Sequence, residues 1–160
     1  MKVVAILLLT SVLFVSSEPS RVSSTRSSIS AAQKAWPTFF RKFRSAVRTK
    51  DRVTLRHMLA PDLLYSLGHH QADRLDDAFK FWDADNGKGW KAFDRILSQG
   101  TVPLSPWWNK GHKPSRPSRV APAAANRRLN IDHSRIEWYA IFEYRDDGRW
   151  YCVIFQECCD

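Results

Sequence analysis

The last quarter of the chain constrains the fold most. Ile136, Trp138, Ala140, Phe142 and Tyr144 fall on one face of an extended segment, Asp146-Asp147-Gly148 turns the chain, and residues 149–157 return. With Asp147-Gly148 as the loop, Phe142 faces Val153 and Ala140 faces Phe155, which stacks apolar side chains on one side. A lone two-stranded hairpin is marginal in water, so that face needs a cover. The chain supplies one upstream. Trp36, Phe40, Phe43 and Val47 recur at spacings of 4, 3 and 4, with Phe39 and Ala46 widening the stripe. Arg41, Lys42, Arg44, Ser45 and Arg48 take the other faces of that helix.

The remaining elements follow from punctuation. Pro37 suits a first helical turn, so the helix either starts there or continues, kinked, from a turn near Ser30. Asp51 can cap a second helix through Val53, Leu55, Met58 and Leu59, which should stop at Ala60 because Pro61 disfavours a helical residue before it. Residues 62–67 read as a short strand, broken by Gly68. A third helical region spans about 75–99, interrupted at Asn86-Gly87-Lys88-Gly89 and stopped by Gly100. Residues 101–104 and 119–121 read as edge strands, with Pro103 and Pro122 interrupting them. The expected class is α+β, with N-terminal helices packed on a curved, mainly antiparallel sheet in a cone-like body.

Composition bounds the rest. At 160 residues, 44% apolar and 12% aromatic, the chain is too apolar to be disordered and too short for two ordinary domains. Residues 1–17 have the form of a signal peptide: Lys2, an apolar run over 3–15, then small residues at Val15-Ser16-Ser17. Thirteen helical residues rise only about 20 Å, short of a bilayer core of about 30 Å. Residues 18–30, rich in Ser and Arg, read as a flexible leader that cannot bury enough surface to order itself. Residues 31–160 then form a single domain, secreted or periplasmic.

The run Ala46-Val47-Arg48-Thr49-Lys50-Asp51, followed by Leu55 and by Met58-Leu59-Ala60-Pro61-Asp62-Leu63-Leu64-Tyr65, resembles the nuclear transport factor 2-like and ketosteroid isomerase-like superfamily. In that family an acidic residue opens the second helix and a Pro-Asp step leads into the first strand. Ala78-Phe79-Lys80-Phe81-Trp82-Asp83 and the segment from Gly148 to Phe155 look like a group of uncharacterised exported bacterial proteins within it. The likeness covers residues 32–160. It implies a cone-shaped fold with an apolar, aromatic-lined pocket, and it is nearly silent about activity, since this fold hosts isomerases, dehydratases, binding modules and adaptors. An active member needs a carboxylate or histidine base in the pocket. His69, His70, Asp73 and Tyr65, after the first strand, are the residues near its mouth; the solvated loop is the favoured reading for them.

Two other motifs carry less. Asp83-Ala84-Asp85-Asn86-Gly87-Lys88-Gly89, with Asp94 eleven residues after Asp83, resembles a calcium loop, but Lys88 stands where such loops need Gly. No metal site and no cofactor is expected. Three cysteines cannot all pair within the chain. Cys152 and Cys158 lie about 20 Å apart along a strand. Cys152, between Trp150 and Ile154, reads as a core residue, and the neighbours Glu157 and Asp160 argue against a reactive thiolate at Cys158 or Cys159.

Charge is the strongest functional signal. The chain carries +9 formally. Residues 31–56 hold eight basic residues against one acid, and residues 95–131 hold seven with none. The second stretch contains Trp107, Trp108, Lys110, Lys113, Arg116 and Arg119 in a Pro-rich loop, where rings stack a ligand and cations hold an anion. These six are the expected ligand-binding residues. The expected function is a non-enzymatic binding module for an anionic or amphipathic envelope component: an anionic polymer, a membrane surface or a small amphipathic ligand. Nucleic acid is a lesser expectation. The alternative is a small isomerase- or lyase-type enzyme with a His or Asp base, and a homodimer formed by paired sheets is compatible with either.

Overall fold

The computed structural model describes residues 21–65, 75–104, 116–126 and 138–157, with side chains from Ser28 onward. Helix α1 (Arg21–Thr49) is followed by α2 (Arg52–Arg56), β1 (Leu59–Leu64), α3 (Leu75–Ser98), β2 (Val102–Pro103), β3 (Ser118–Ala121), β4 (Trp138–Tyr144) and β5 (Trp150–Glu157). The strands form one open, curved sheet in the order β1-β5-β4-β3-β2. Only β1 and β5 pair in parallel. The molecule is α+β, as the pattern of elements predicts.

Several boundaries differ from the sequence reading, each for a physical reason. Helix α1 begins at Arg21, so most of the segment read as a leader forms its first turns. Once a helix is nucleated and packed, each further residue adds a hydrogen bond at little cost, even in a Ser-rich segment. Trp150 fixes this part of α1 by donating its Nε1 hydrogen to the Ala32 carbonyl at 2.9 Å. Pro37 lies exposed within α1 rather than starting it.

Asp51 does cap α2, accepting the Thr54 N–H at 3.0 Å. The helix stops at Arg56, however, and β1 starts at Leu59 rather than at residue 62. Pro61 is tolerated there because β1 is an edge strand bonded only to β5.

The hairpin turns through Asp146-Asp147-Gly148 as expected, but by a three-residue loop. Arg145 N–H bonds the Arg149 carbonyl at 2.9 Å, and Gly148 sits at φ +76°. Phe142 therefore pairs with Cys152, not Val153. A bulge next in the ladder restores the expected pairing of Ala140 with Phe155. Val153 and Ile154 consequently share the outer face, while Trp150, Cys152 and Phe155 share the inner one.

The inner face and the helices bury one continuous core. Trp82, Phe43, Phe79, Phe93, Phe142 and Phe155 are its largest fully buried side chains. Trp36 and Phe43 both meet Phe142 edge-on at 5.3 Å, and Phe40 stacks on Trp36 at 5.2 Å. Phe93 lies flat on Phe155 at 3.7 Å. A second apolar cluster, with Val120, Ala125, Tyr139, Ile141 and Val153, is buried on the opposite face.

Helix α3 consists of two helical halves. Ala84 is extended (ψ 159°), and Asp85, Asn86 and Gly87 all take left-handed conformations. The break falls two residues earlier than the Asn86–Gly89 expectation. It lets Trp90 pack against Trp82 and Phe79 (5.1 and 5.9 Å) and donate its Nε1 hydrogen to Asp83 at 2.9 Å. Arg52 takes the other oxygen of Asp83 at 2.6 Å, which ties α2 to α3.

Candidate functional site

The expected hollow between helices and sheet is, among the described residues, filled by the aromatic core. The concavities described among these residues are open grooves on the surface. The basic residues around most of them are already engaged. Arg52 and Arg56 pair with Asp83 and Asp76 and lie over the Phe79 ring. Arg145 pairs with Asp62 at 2.7 Å, and Lys88 with Glu157 at 3.4 Å. Arg149 donates to the His57 carbonyl at 3.2 Å.

Helix α1 is different. Its 29 residues include seven basic side chains and no acid. A groove of about 570 Å³ runs along it, lined by Trp36, Pro37, Phe40, Arg41, Arg44, Ser45 and Arg48. The helical repeat sets this wall: positions 37, 41, 44, 45 and 48 recur at three- and four-residue spacings, so their side chains fall on one face. Successive arginines are displaced by about 4.5 and 6 Å along the axis at 1.5 Å per residue. Among the described residues none of Arg41, Arg44 and Arg48 has a hydrogen-bond or ion-pair partner, and the Arg44 Nε is shielded from solvent without an acceptor. That is a costly arrangement for a guanidinium until an anion supplies the acceptor.

The expected ligand-binding residues divide. Trp107, Trp108, Lys110 and Lys113 lie outside the described residues, as do His69, His70 and Asp73. Arg116 pairs with Asp146 at 2.8 Å. Arg119 reaches back across the sheet, donating to the Thr101 hydroxyl and carbonyl at 3.2 and 3.1 Å and lying 4.9 Å from the Trp36 ring centroid. Burial pushes its guanidinium below the ordinary arginine value, and among the described residues no carboxylate accompanies it. Arg119 thus joins the two basic stretches of the sequence through Trp36, which also lines the α1 groove. Tyr65 packs edge-on against the exposed Phe81 at 5.8 Å and borders the aromatic core as a partly buried residue.

The arginines of the groove were visible in the sequence only as the polar side of an amphipathic helix. The signal that marks them is negative: a long helix with no acid to pair with its cations.

Other titrating groups lie elsewhere. The Tyr151 hydroxyl donates to Asp147 at 2.7 Å, which holds that carboxylate below its usual range and raises the phenol. Desolvation pushes the Cys152 thiol well up, the opposite of what a nucleophile needs. Asp83, first residue of the calcium-like loop, is occupied by Arg52 and Trp90. Cys158 and Cys159 lie outside the described residues. Among the described residues no helix is long and apolar enough to cross a membrane. No protein-family model, curated protein or solved structure matches the chain.

Proposed function

We propose that this protein is an exported, nuclear transport factor 2-like binding module that holds an anionic or amphipathic component of the cell envelope on a basic face. Residues 1–17 act in this reading as the signal peptide, and the mature chain is secreted or periplasmic. The observation that carries the binding role is the uncompensated charge of α1. Among the described residues, cations on the other elements are largely matched by carboxylates or carbonyls, whereas the arginines facing the α1 groove have no partner there and no acid on their helix. Unpaired surface cations cost self-repulsion and attract anions over roughly a Debye length, about 10 Å at 0.1 M salt. Trp107, Trp108, Lys110 and Lys113, outside the described residues, are included in this reading on their residue types alone, rings to stack a ligand and cations to hold an anion.

The test is retention of the mature protein on anionic vesicles (phosphatidylglycerol) against zwitterionic ones (phosphatidylcholine), over a salt series. Retention by the anionic vesicles that falls steeply between 50 and 500 mM salt, on the order of the screening argument, is the expected result. Lys110→Ala with Lys113→Ala should weaken it further. Equal retention on both vesicle types, or none, would remove the binding role.

A further inference from the structure

We propose that the α1 groove is a specific site for a phosphate ester carried on an apolar body, with Arg41, Arg44 and Arg48 on the phosphate and Phe40 and Pro37 against the body. This rests on the reading of the protein as an anion-binding module and narrows it to one place and one ligand chemistry.

The charge count selects the anion. Three guanidiniums face a groove without a carboxylate. A single carboxylate would leave two of them unmatched, whereas a phosphate monoester brings close to two negative charges and three acceptor oxygens. Arginine's planar fork suits those oxygens, and each charge-assisted bond is stronger than a neutral one. The Ser45 hydroxyl on the same wall adds a rotatable donor.

The rest of the wall selects the body. Phe40 is half-buried and stacked on Trp36, and Pro37 lies exposed one turn before Arg41. An inorganic ion would touch the arginines and leave this apolar end unused. At about 570 Å³ the groove falls in the size range of small-molecule sites. The scaffold is rigid where it matters. Trp36 is held by Phe39, Phe40, Phe142, Trp150 and Arg119, so the helix segment that carries the arginines cannot rotate without breaking the core.

Two sources offer this chemistry, a lipid phosphate and an aryl phosphate. Calorimetric titration in 0.15 M salt with monomeric dihexanoyl phosphatidic acid, phenyl phosphate and inorganic phosphate separates them. At least one of the two esters is expected to bind on the order of tenfold more tightly than inorganic phosphate, a gap of about 1.4 kcal/mol. The tighter of the two names the source. The variant R41Q/R44Q/R48Q should lose that binding at least on the order of tenfold with an unchanged melting temperature, and K88Q/K91Q, at a separate groove, should keep it. Inorganic phosphate binding as tightly as both esters, or equal losses in the two variants, would overturn the proposal. The two readings fail separately. Should R41Q/R44Q/R48Q retain wild-type, salt-sensitive capture by phosphatidylglycerol vesicles, the groove is wrong and the module reading survives; should wild-type protein ignore those vesicles, the module reading itself falls.

Discussion

Gly89 is the point of closest approach between the two halves of α3. A Cβ there would meet the Trp82 Cα at 2.7 Å, a contact with backbone that no rotamer change relieves. Gly89→Ala is expected to lower stability by about 2 kcal/mol, within the range for overpacking a tight site, read as a shift of the urea midpoint without loss of helix signal. Two carboxylates act on stability through pH. Asp51, bonded to the Thr54 N–H, and Asp147, bonded to Tyr151, are both held below the usual range by those hydrogen bonds. A depressed folded value means that the stabilisation is present above the unfolded value of about 4 and is lost as pH falls through the folded one. The melting temperature should therefore fall below about pH 4, and less so in D51N/D147N; profiles of equal slope would show that neither bond contributes. Arg44 poses the opposite problem, a guanidinium nitrogen buried without an acceptor among the described residues.

Strand β5 shows how an element can be specified by a defect. Strict alternation from Trp150 would place Ile154 inward and Phe155 outward. The bulge beside Val153 reverses this and delivers Phe155 onto Phe93 and Trp82. Phe155→Ala should cost about 3–5 kcal/mol, the range for emptying an aromatic core site. Deleting Val153 should cost less, because the shortened strand alternates regularly with Ile154 outward and the intact Phe155 still inward. Near-ultraviolet circular dichroism and urea unfolding of the two variants check this; a deletion as costly as the truncation would show that Phe155 loses its place when the bulge is removed. The helix α3 break works similarly. Three consecutive left-handed residues fold one apolar run into two short helices, which allows Trp82 and Trp90 to meet edge to face.

At the scale of the molecule, charge and packing are segregated. The aromatic core ties α1, α3 and the sheet together, while among the described residues unpaired positive charge gathers on the outer side of α1. Like charges three and four residues apart on a helix repel by a few tenths of a kcal/mol per pair. Arg48→Glu converts the 44/48 repulsion into an attraction, so it should leave stability unchanged or raise it by about 0.5 kcal/mol, while phosphate-ester binding falls. Thermal unfolding and titration of the same sample measure both. A loss of stability together with binding would mean that Arg48 is structural, contrary to its exposed place on the groove wall.

Much of this architecture was legible from local pattern alone. The aromatic stripe of α1, the Asp51 cap, the Asp-Asp-Gly turn and the break in α3 are each dictated by residues within a turn or two of one another, where spacing and backbone preference decide. Register, strand order and the filling of the concavity were not legible, because they depend on contacts between residues far apart: Val153 is a bulge only in relation to Ile141 and Phe142, and Pro61 lies in a strand only because β5 lies beside it. The groove belongs to the second kind. Local pattern placed Arg41, Arg44 and Arg48 on the polar side of a helix, and only the folded chain, by pairing most of the described cations of the other elements and gathering these three along one groove without a partner among the described residues, distinguished them.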